Sequence, residues 1–250
     1  MIRVSVAATV FVAILLFVPS SHAQSDPQAL AFAQQAITAL TGGAAVVDAT
    51  LSGNVTRTVG SNNSSGTANF YAKGQYVSRV DLLLNTGNRS DIFNDTLGPQ
   101  GEWIDSNGNA NPYSPFNCMT DAAWFFPALS SLAFTANIAQ TITYIGQETV
   151  NGESVQHLQS VWSSGPASTI DFYLDASTML PVQINFNSHP DNDATTNIPY
   201  QITFSNYQAV NGSQIPYHIQ EYFNGSLLLD FTVTNAALNS GLSDSLFALQ

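Results

Sequence analysis

Hydrophobic and polar residues alternate with a period of two along several segments in the last third of the chain. Ile170, Phe172 and Leu174 alternate with polar or amphipathic neighbours, and 182–186 repeats the pattern. In 227–233 the predicted apolar face carries Leu227, Leu229, Phe231 and Val233. Because successive strand side chains point to opposite faces, the pattern predicts a sheet with one apolar and one hydrated face. Asn-Gly pairs at 151–152, 211–212 and 224–225 predict tight hairpins.

A different periodicity marks the region before the sheet. Asp26 and Pro27 are typical of a helix start, and Gly42-Gly43 of a helix end. Between them one helical face carries Leu30, Ala33, Ile37 and Leu40. The segment 46–59 then predicts a long strand. From 120 to 134 the chain becomes apolar, and Pro127 predicts two short helical pieces with a break at Phe126-Pro127.

Together these elements predict a mainly β (α+β) fold. We expect an antiparallel meander curled into an open half-barrel, with the N-terminal helix and the mid-chain helical segment on its concave face. A meander of this length either closes into a barrel or stays open with helices in its mouth, and the two helical segments favour the open form. We expect one domain over 24–250.

The N-terminus has the layout of an export signal. Arg3 precedes an apolar run over 4–18, and the small residues Ser21 and Ala23 predict cleavage after Ala23, so that 1–23 is a signal peptide. An uncleaved anchor is the alternative, although the run is short for a span of about 20 residues. The predicted location is therefore the periplasm or the extracellular space.

Composition excludes several classes of function. The formal net charge is -12, which gives no electrostatic footprint for nucleic acid. Cys118 is the only cysteine, and His157, His189 and His218 lack metal-ligand spacing. We expect no metal, no cofactor and no catalytic site, because we find no nucleophile elbow and no nucleophile–base pair. The predicted state is a monomer.

The C-terminal third resembles a known superfamily. The stretch Phe172–Pro181, the pair Ile202–Tyr207 and Ile215–Ile219 around Asn211-Gly212, and the closing Leu238-Asn239 and Asp244–Phe247 are similar to the outer-membrane lipoprotein carriers, the LolA/LolB-like half-barrels. The resemblance implies an unclosed barrel around helices, with an apolar concavity that accommodates acyl chains in the carriers. A basic residue on the carriers' concave face is commonly tied to ligand or lid, and Arg57 is the only comparable position that we identify here.

Six residues form the predicted ligand site. Arg57 has the strand parity of Val47, Ala49, Leu51 and Val55, so it projects from the apolar face. It is either a polar anchor at a cavity mouth or a strand-end arginine that reaches water or pairs with a carboxylate. The mid-chain segment contributes Trp124, Phe125, Phe126, Leu129 and Leu132. These apolar residues either line the cavity as a lid or cover the half-barrel as permanent core.

Two functions remain open at this stage. The first is an exported, non-enzymatic carrier-like protein for an apolar, acyl-bearing or lipid ligand. The second is a non-catalytic envelope or interaction protein that has the same fold but a filled cavity and an unknown protein partner. A third, an exported hydrolase, lacks a nucleophile–base pair in the sequence.

Overall fold

A computed structural model describes residues 24–118, 121–133, 140–162 and 169–250. The predicted signal peptide over 1–23 lies outside these residues. The described residues form a single antiparallel sheet of 13 strands in the order β6-β5-β4-β3-β2-β1-β13-β12-β11-β10-β9-β8-β7. The two end strands, β6 and β7, do not pair with each other, so the sheet stays open. The mainly β, open half-barrel prediction is confirmed.

Strands that follow one another in the chain are neighbours in the sheet, except β6 and β7, which form its two edges. The pairing of β1 with β13 joins the two halves of the sheet. Their bounds are β1 (Asp48–Val59), β2 (Asn62–Lys73), β3 (Val77–Leu84), β4 (Gly87–Asn94), β5 (Gly101–Ile104), β6 (Ala110–Pro112), β7 (Gln140–Val150), β8 (Glu153–Trp162), β9 (Thr169–Asp175), β10 (Pro181–Ser188), β11 (Ile198–Val210), β12 (Ser213–Phe223) and β13 (Ser226–Leu238). At each of the three predicted Asn-Gly turns both residues have positive φ, as a two-residue hairpin with the twist of the strands requires.

The N-terminal helix α1 (Pro27–Thr41) begins and ends where the sequence predicts. The Asp26 side chain caps it by accepting a hydrogen bond from Gln28 N at 2.8 Å, and Gly42 ends it with φ 62°. The buried face differs from the predicted one, since it consists of Ala29, Ala33, Ala36, Leu40 and Thr41. Leu30 and Ile37 are only half-buried, and alanines make up most of the buried face.

The mid-chain segment is more irregular than the predicted pair of helical pieces. A four-residue helix α2 (Pro115–Cys118) is followed by 3₁₀ turns over Pro127–Leu129 and Ser131–Ala133. The break at Phe126-Pro127 lies where it was predicted, with Pro127 opening the first turn. Ser130 lies between the two turns, and its hydroxyl donates a hydrogen bond to Pro127 O at 2.7 Å. Phe125 packs edge-on against Phe70 of β2, so the segment lies on the concave face.

The alternation predicted for 227–233 fails at its first position, Leu227. The β12–β13 register shifts between Glu221 and Tyr222. Leu228 consequently turns toward the concave side, where it lines a cavity. Leu227, predicted on the apolar face, is 38% exposed. A β-bulge reverses the side-chain parity of the residues beyond it, which accounts for the error.

Among the described residues, no helix is both long enough and apolar enough to cross a bilayer.

Candidate functional site

A cavity of about 390 Å³ lies within the curl of the sheet, between β3–β4 on one side and the ends of β10–β13 on the other. This volume falls in the range of about 300–1,000 Å³ that is typical of small-molecule sites. Most of the surface that lines it is apolar. The lining residues are Arg57, Val59, Val80, Leu82, Arg89, Asp91, Phe93, Tyr113, Asn117, Asp121, Trp124, Phe186, Ser188, Tyr200, Glu221, Phe223, Leu228 and Leu229.

Arg57 and Glu221 enter this cavity from the same row of the sheet. Arg57 of β1 lies opposite Leu229 of β13, and Leu229 lies opposite Glu221 of β12. Laterally paired residues point to the same face, so both charged side chains project from the concave side. Among the described residues, no carboxylate lies within 4.0 Å of the Arg57 guanidinium. Arg57 also makes no hydrogen bond in that part of the chain.

Glu221 is held by a neighbouring tyrosine. The Tyr200 hydroxyl donates a hydrogen bond to Glu221 Oε2, and the Tyr200 ring stacks on Phe186 with centroids 4.8 Å apart. Burial raises the pKa of Glu221 to about 7, although the Tyr200 hydrogen bond and the Arg57 charge oppose that rise. Burial also raises the pKa of Tyr200, with the Glu221 charge adding to the effect. The pair is thus a polar site on an otherwise apolar wall.

On the opposite wall of the cavity, Arg89 and Asp91 of β4 form an ion pair in which the two charges offset each other. Arg89 Nε and Nη2 donate to Asp91 at 2.9 and 2.6 Å, and Nη2 also donates to the Tyr113 hydroxyl at 2.7 Å. The guanidinium lies 4.4 Å from the ring centroid of Trp103. Burial disfavours its charge, but the hydrogen bonds and charge of Asp91 outweigh this and raise the pKa of Arg89. Arg89 therefore has hydrogen-bond partners at Nε and Nη2, whereas Arg57 has none among the described residues.

Asp121 connects the cavity to the mid-chain segment. Its carboxylate accepts from Ala123 N at 3.2 Å and from the Ser131 hydroxyl at 2.8 Å. Burial raises its pKa to about 6, and burial likewise raises the pKa of the neighbouring Asp95 to about 7. Asp121 uses its oxygens to hold the turn that carries Trp124, so we assign it a structural role.

The structure separates the six predicted site residues into two groups. Arg57 and Trp124 line the cavity. Phe125, Phe126, Leu129 and Leu132 instead lie in the core and are at most 3% exposed. Ligand contact by any of the six stays a prediction.

Sequence reasoning missed Arg89, Asp91, Tyr200 and Glu221. The statement that Arg57 is the only basic residue comparable to that of the carriers is wrong, because Arg89 also reaches the concave side. The sequence did contain a pattern that could have indicated these residues, since Arg89, Asp91 and Phe93 alternate along β4 and therefore point to the same face of the sheet. Glu221 likewise shares the parity of Ile219.

A serine, a histidine and an aspartate line up on the outer face of the sheet. His218 lies 3.3 Å from the Ser205 hydroxyl and 3.0 Å from Asp230 Oδ1. The side chains of His218 and Asp230 are 34% and 32% exposed. Electrostatic stabilisation of a transition state needs a water-excluded site, and these residues face away from the cavity. We interpret them as a cross-strand polar ladder.

No group of three or more His, Cys, Asp or Glu side chains in the described ranges is arranged to hold a metal ion.

Comparison with solved structures gives fold-level similarity. A domain from Vibrio parahaemolyticus, whose name describes outer membrane lipoprotein sorting, matches with a TM-score of 0.59 and 12% identity over 88% of this chain and 96% of that one. A LolA superfamily protein from Nitrosomonas europaea matches with a TM-score of 0.55 and 11% identity over 88% and 97%. A DUF1329 family protein from Desulfovibrio piger matches with 0.56 and 13% over 90% and 98%. No family model and no curated protein matches the chain.

These similarities confirm the fold predicted from the C-terminal third. The chain has the LolA-like fold. At such low identity the likeness concerns the fold alone, and the function has to be argued from the cavity.

Proposed function

We propose that this protein is an exported, non-enzymatic carrier that binds the acyl chain of a lipid-like ligand in the cavity. One observation carries the proposal: an apolar cavity remains open beside a packed core, and the Arg57 guanidinium, which has no ion-pair partner among the described residues, projects into it. Leaving a charge without a partner next to apolar surface is costly unless water or a ligand solvates it. An amphiphile satisfies both features, since its chain covers the apolar wall and its polar end meets the charge.

The energetics require the cavity to be preformed. Burying twelve methylene groups contributes on the order of 10 kcal/mol at about 0.8 kcal/mol each. Association costs roughly 4–15 kcal/mol, so that at most about 6 kcal/mol remains, and unfolding core residues to make room would consume it. The existing volume meets this requirement. Its small size favours a single acyl chain over two.

The polar groups of the cavity support binding more than catalysis. Arg89, Asp91 and Tyr113 satisfy one another, and Tyr200 occupies Glu221 Oε2. Neither cluster contains an activated nucleophile. Fold-level similarity to a domain named for lipoprotein sorting agrees with a carrier role and with a location in the cell envelope. We further propose that residues 24–250 form the mature, single-domain carrier after removal of 1–23.

The filled-cavity alternative draws support from the other part of the concave face. Phe125, Phe126 and Leu132 are fully buried there, as they are in a protein whose fold serves only as a scaffold. The carrier and the filled-cavity alternative differ in whether the remaining cavity binds a ligand.

A matched pair of variants tests the proposal. Leu228 lines the cavity, whereas its neighbour Leu227 points outward. We expect the wild type to bind a fluorescent fatty acid in one-to-one ratio, and Leu228→Trp to weaken binding at least tenfold because the indole occupies the space. Leu227→Trp, which makes the same change outside the cavity, leaves binding unchanged. No uptake by the wild type, together with no lipid in native mass spectra of protein from its host, contradicts the proposal and selects the filled-cavity alternative.

A further inference from the structure

The cavity presents one positive and one negative group that are not paired with each other. Arg57 and Glu221 flank Leu229 in a single row of the sheet. With strands about 4.8 Å apart, their Cα atoms are separated by roughly 10 Å. Their side chains line the same cavity, yet no salt bridge joins them in the described part of the chain. Two opposite charges at this spacing can each receive a different part of one ligand.

Each group has unused capacity for binding. Within the described residues, Arg57 makes no hydrogen bond, and its guanidinium has five donors. Glu221 receives one hydrogen bond, from Tyr200 to Oε2, and Oε1 has no partner in those residues. The other charged pair of the cavity, Arg89 and Asp91, has less unused capacity because its members bind each other and Tyr113. Arg57 and Glu221 are therefore the two charged groups of the cavity that are least occupied by other residues and best able to engage a headgroup.

The charge balance disfavours a purely anionic or purely cationic headgroup. A fatty acid or a phosphate monoester at Arg57 places a negative charge near Glu221 and Asp91, in a chain of net charge -12. A cationic amphiphile at Glu221 leaves Arg57 unpaired. A headgroup with both charges satisfies both residues, and charge-assisted hydrogen bonds of this kind are about twice as strong as neutral ones.

We propose that the cavity selects zwitterionic single-chain amphiphiles, with Arg57 binding a phosphate group and Glu221 binding an ammonium group. This inference rests on the proposed function, since it presupposes that the acyl chain occupies the cavity. It adds the chemical class of the headgroup and assigns a residue to each of its charges.

The pH dependence of the affinity distinguishes a zwitterionic headgroup from an anionic one, because Glu221 titrates. The charged or titratable groups that act on Glu221 are Tyr200 from β11, Arg57 from β1, and Arg89 and Asp91 from β4. An ammonium group favours ionised Glu221, so binding releases a proton and the affinity rises with pH through about 7. We expect a gain of about tenfold between pH 6 and pH 8. An anionic headgroup favours protonated Glu221 and produces the opposite slope.

The experiment compares three probes that carry the same acyl chain. Lysophosphatidylethanolamine is zwitterionic, lysophosphatidylglycerol is anionic and monoacylglycerol is neutral. Each is titrated calorimetrically below its micellar concentration, at pH 6 and pH 8. We expect the wild type to bind the zwitterion at least tenfold more tightly than either competitor at pH 8, with the pH slope given above.

Three variants assign the effect to individual residues. Glu221→Gln keeps an acceptor for Tyr200 and should reduce the preference for zwitterion over anion at least tenfold, with loss of the pH slope. Arg57→Gln should weaken both phosphate probes and leave the monoacylglycerol unaffected. Asp230→Asn makes the same acid-to-amide change on the outer face and should leave the preference intact. Because each preference is a ratio measured within one variant, a lower folded fraction does not change it.

The remaining outcomes are all decisive. Equal binding of the three probes, tightest binding of the anion, or an affinity that rises as the pH falls overturns the headgroup assignment while the carrier function stands. Failure of every probe to bind overturns both.

Discussion

The two parts of the concave face use the same sheet in opposite ways. Over one part, α1 and the mid-chain turns seal the sheet with Phe125, Phe126 and Leu132, all fully buried. Over the other part, Arg57, Glu221 and Tyr200 surround a cavity of about 390 Å³. Protein interiors are normally close-packed, with few voids larger than a water molecule. The open cavity, bordered by charged groups, is therefore the part of the concave face that we propose for binding.

The two parts also differ in the cost of keeping them as they are. The sealed part buries mainly apolar side chains, which stabilises the fold, and its buried serines Ser130 and Ser131 are hydrogen-bonded. The open part retains a carboxylic acid whose pKa burial raises to about 7, which costs stability when that acid ionises. The predictions below test this contrast in order of decreasing effect.

Truncating an aromatic ring in each part should give unequal losses of stability. Phe126 is fully buried, and we expect Phe126→Ala to lower the free energy of unfolding by about 3–5 kcal/mol because it leaves a cavity in packed core. Phe186 borders an existing cavity, so Phe186→Ala should cost less than half as much. Urea unfolding at equilibrium measures both. Equal losses would show that the open part is packed as tightly as the sealed one.

Replacing Glu221 should change how stability depends on pH. The folded protein holds the pKa of Glu221 at about 7, above the ordinary value of 4.5, so the folded state binds the proton more tightly than the unfolded state. The associated stability is present below pH 4.5 and is lost as the pH rises through 7. Relative to Glu221→Gln, the wild type should lose on the order of 3 kcal/mol across this window. Unfolding curves of both proteins from pH 4 to pH 9 measure the difference.

Asp48, at the start of β1, provides a control of opposite sign. Burial alone would raise its pKa, but backbone hydrogen bonds from Ser240 at 2.7 Å and Gly241 at 2.9 Å lower it below 3.8. The wild type should therefore lose stability relative to Asp48→Asn only as the pH falls below 3.8. If the free energy of unfolding, relative to each amide variant, changed with pH in the same direction for Asp48 and Glu221, the proposed contrast between the two carboxyl groups would be contradicted.

Two half-buried tyrosines provide a further comparison. Tyr200 donates to Glu221, whereas Tyr207 donates to Pro181 O at 2.7 Å. We expect Tyr200→Phe to cost about 1.5–3 kcal/mol at pH 8, where the acceptor is charged, and about 1 kcal/mol at pH 5. Tyr207→Phe should cost about 0.5–1.5 kcal/mol at both pH values, since its acceptor does not titrate. Thermal unfolding at the two pH values provides the measurement, and a pH-independent Tyr200→Phe would contradict the account.

Local patterns predicted much of the fold. Alternation placed Arg57 on the concave face because β1 is regular through that residue. Asp26 and Gly42 fixed the ends of α1 because capping depends on a few neighbouring residues. The Asn-Gly turns were predictable for the same reason. Pro127 likewise located the break in the mid-chain segment.

The site could not be predicted because it depends on distant pairings. Only the β1–β13 pairing brings Arg57 beside Leu229 and, one strand further, beside Glu221. The curl of the sheet then brings β4 to face these strands, which adds Arg89 to the cavity. A bulge in β13 replaces Leu227 by Leu228 on the inner side, and no local pattern indicated it. The alternation therefore determines the face of a residue, and the strand order determines its neighbours.

The most direct test of the account is to locate a bound acyl chain. A lysophosphatidylethanolamine with a photoactivatable group on its acyl chain is bound to the protein over residues 24–250, cross-linked by light and mapped by peptide mass spectrometry. The account predicts labelling of residues that line the cavity, such as Val59, Phe223 and Leu228, and loss of that labelling in Leu228→Trp. Labelling confined to the outer face of the sheet, or equal labelling with and without the Trp substitution, would contradict it.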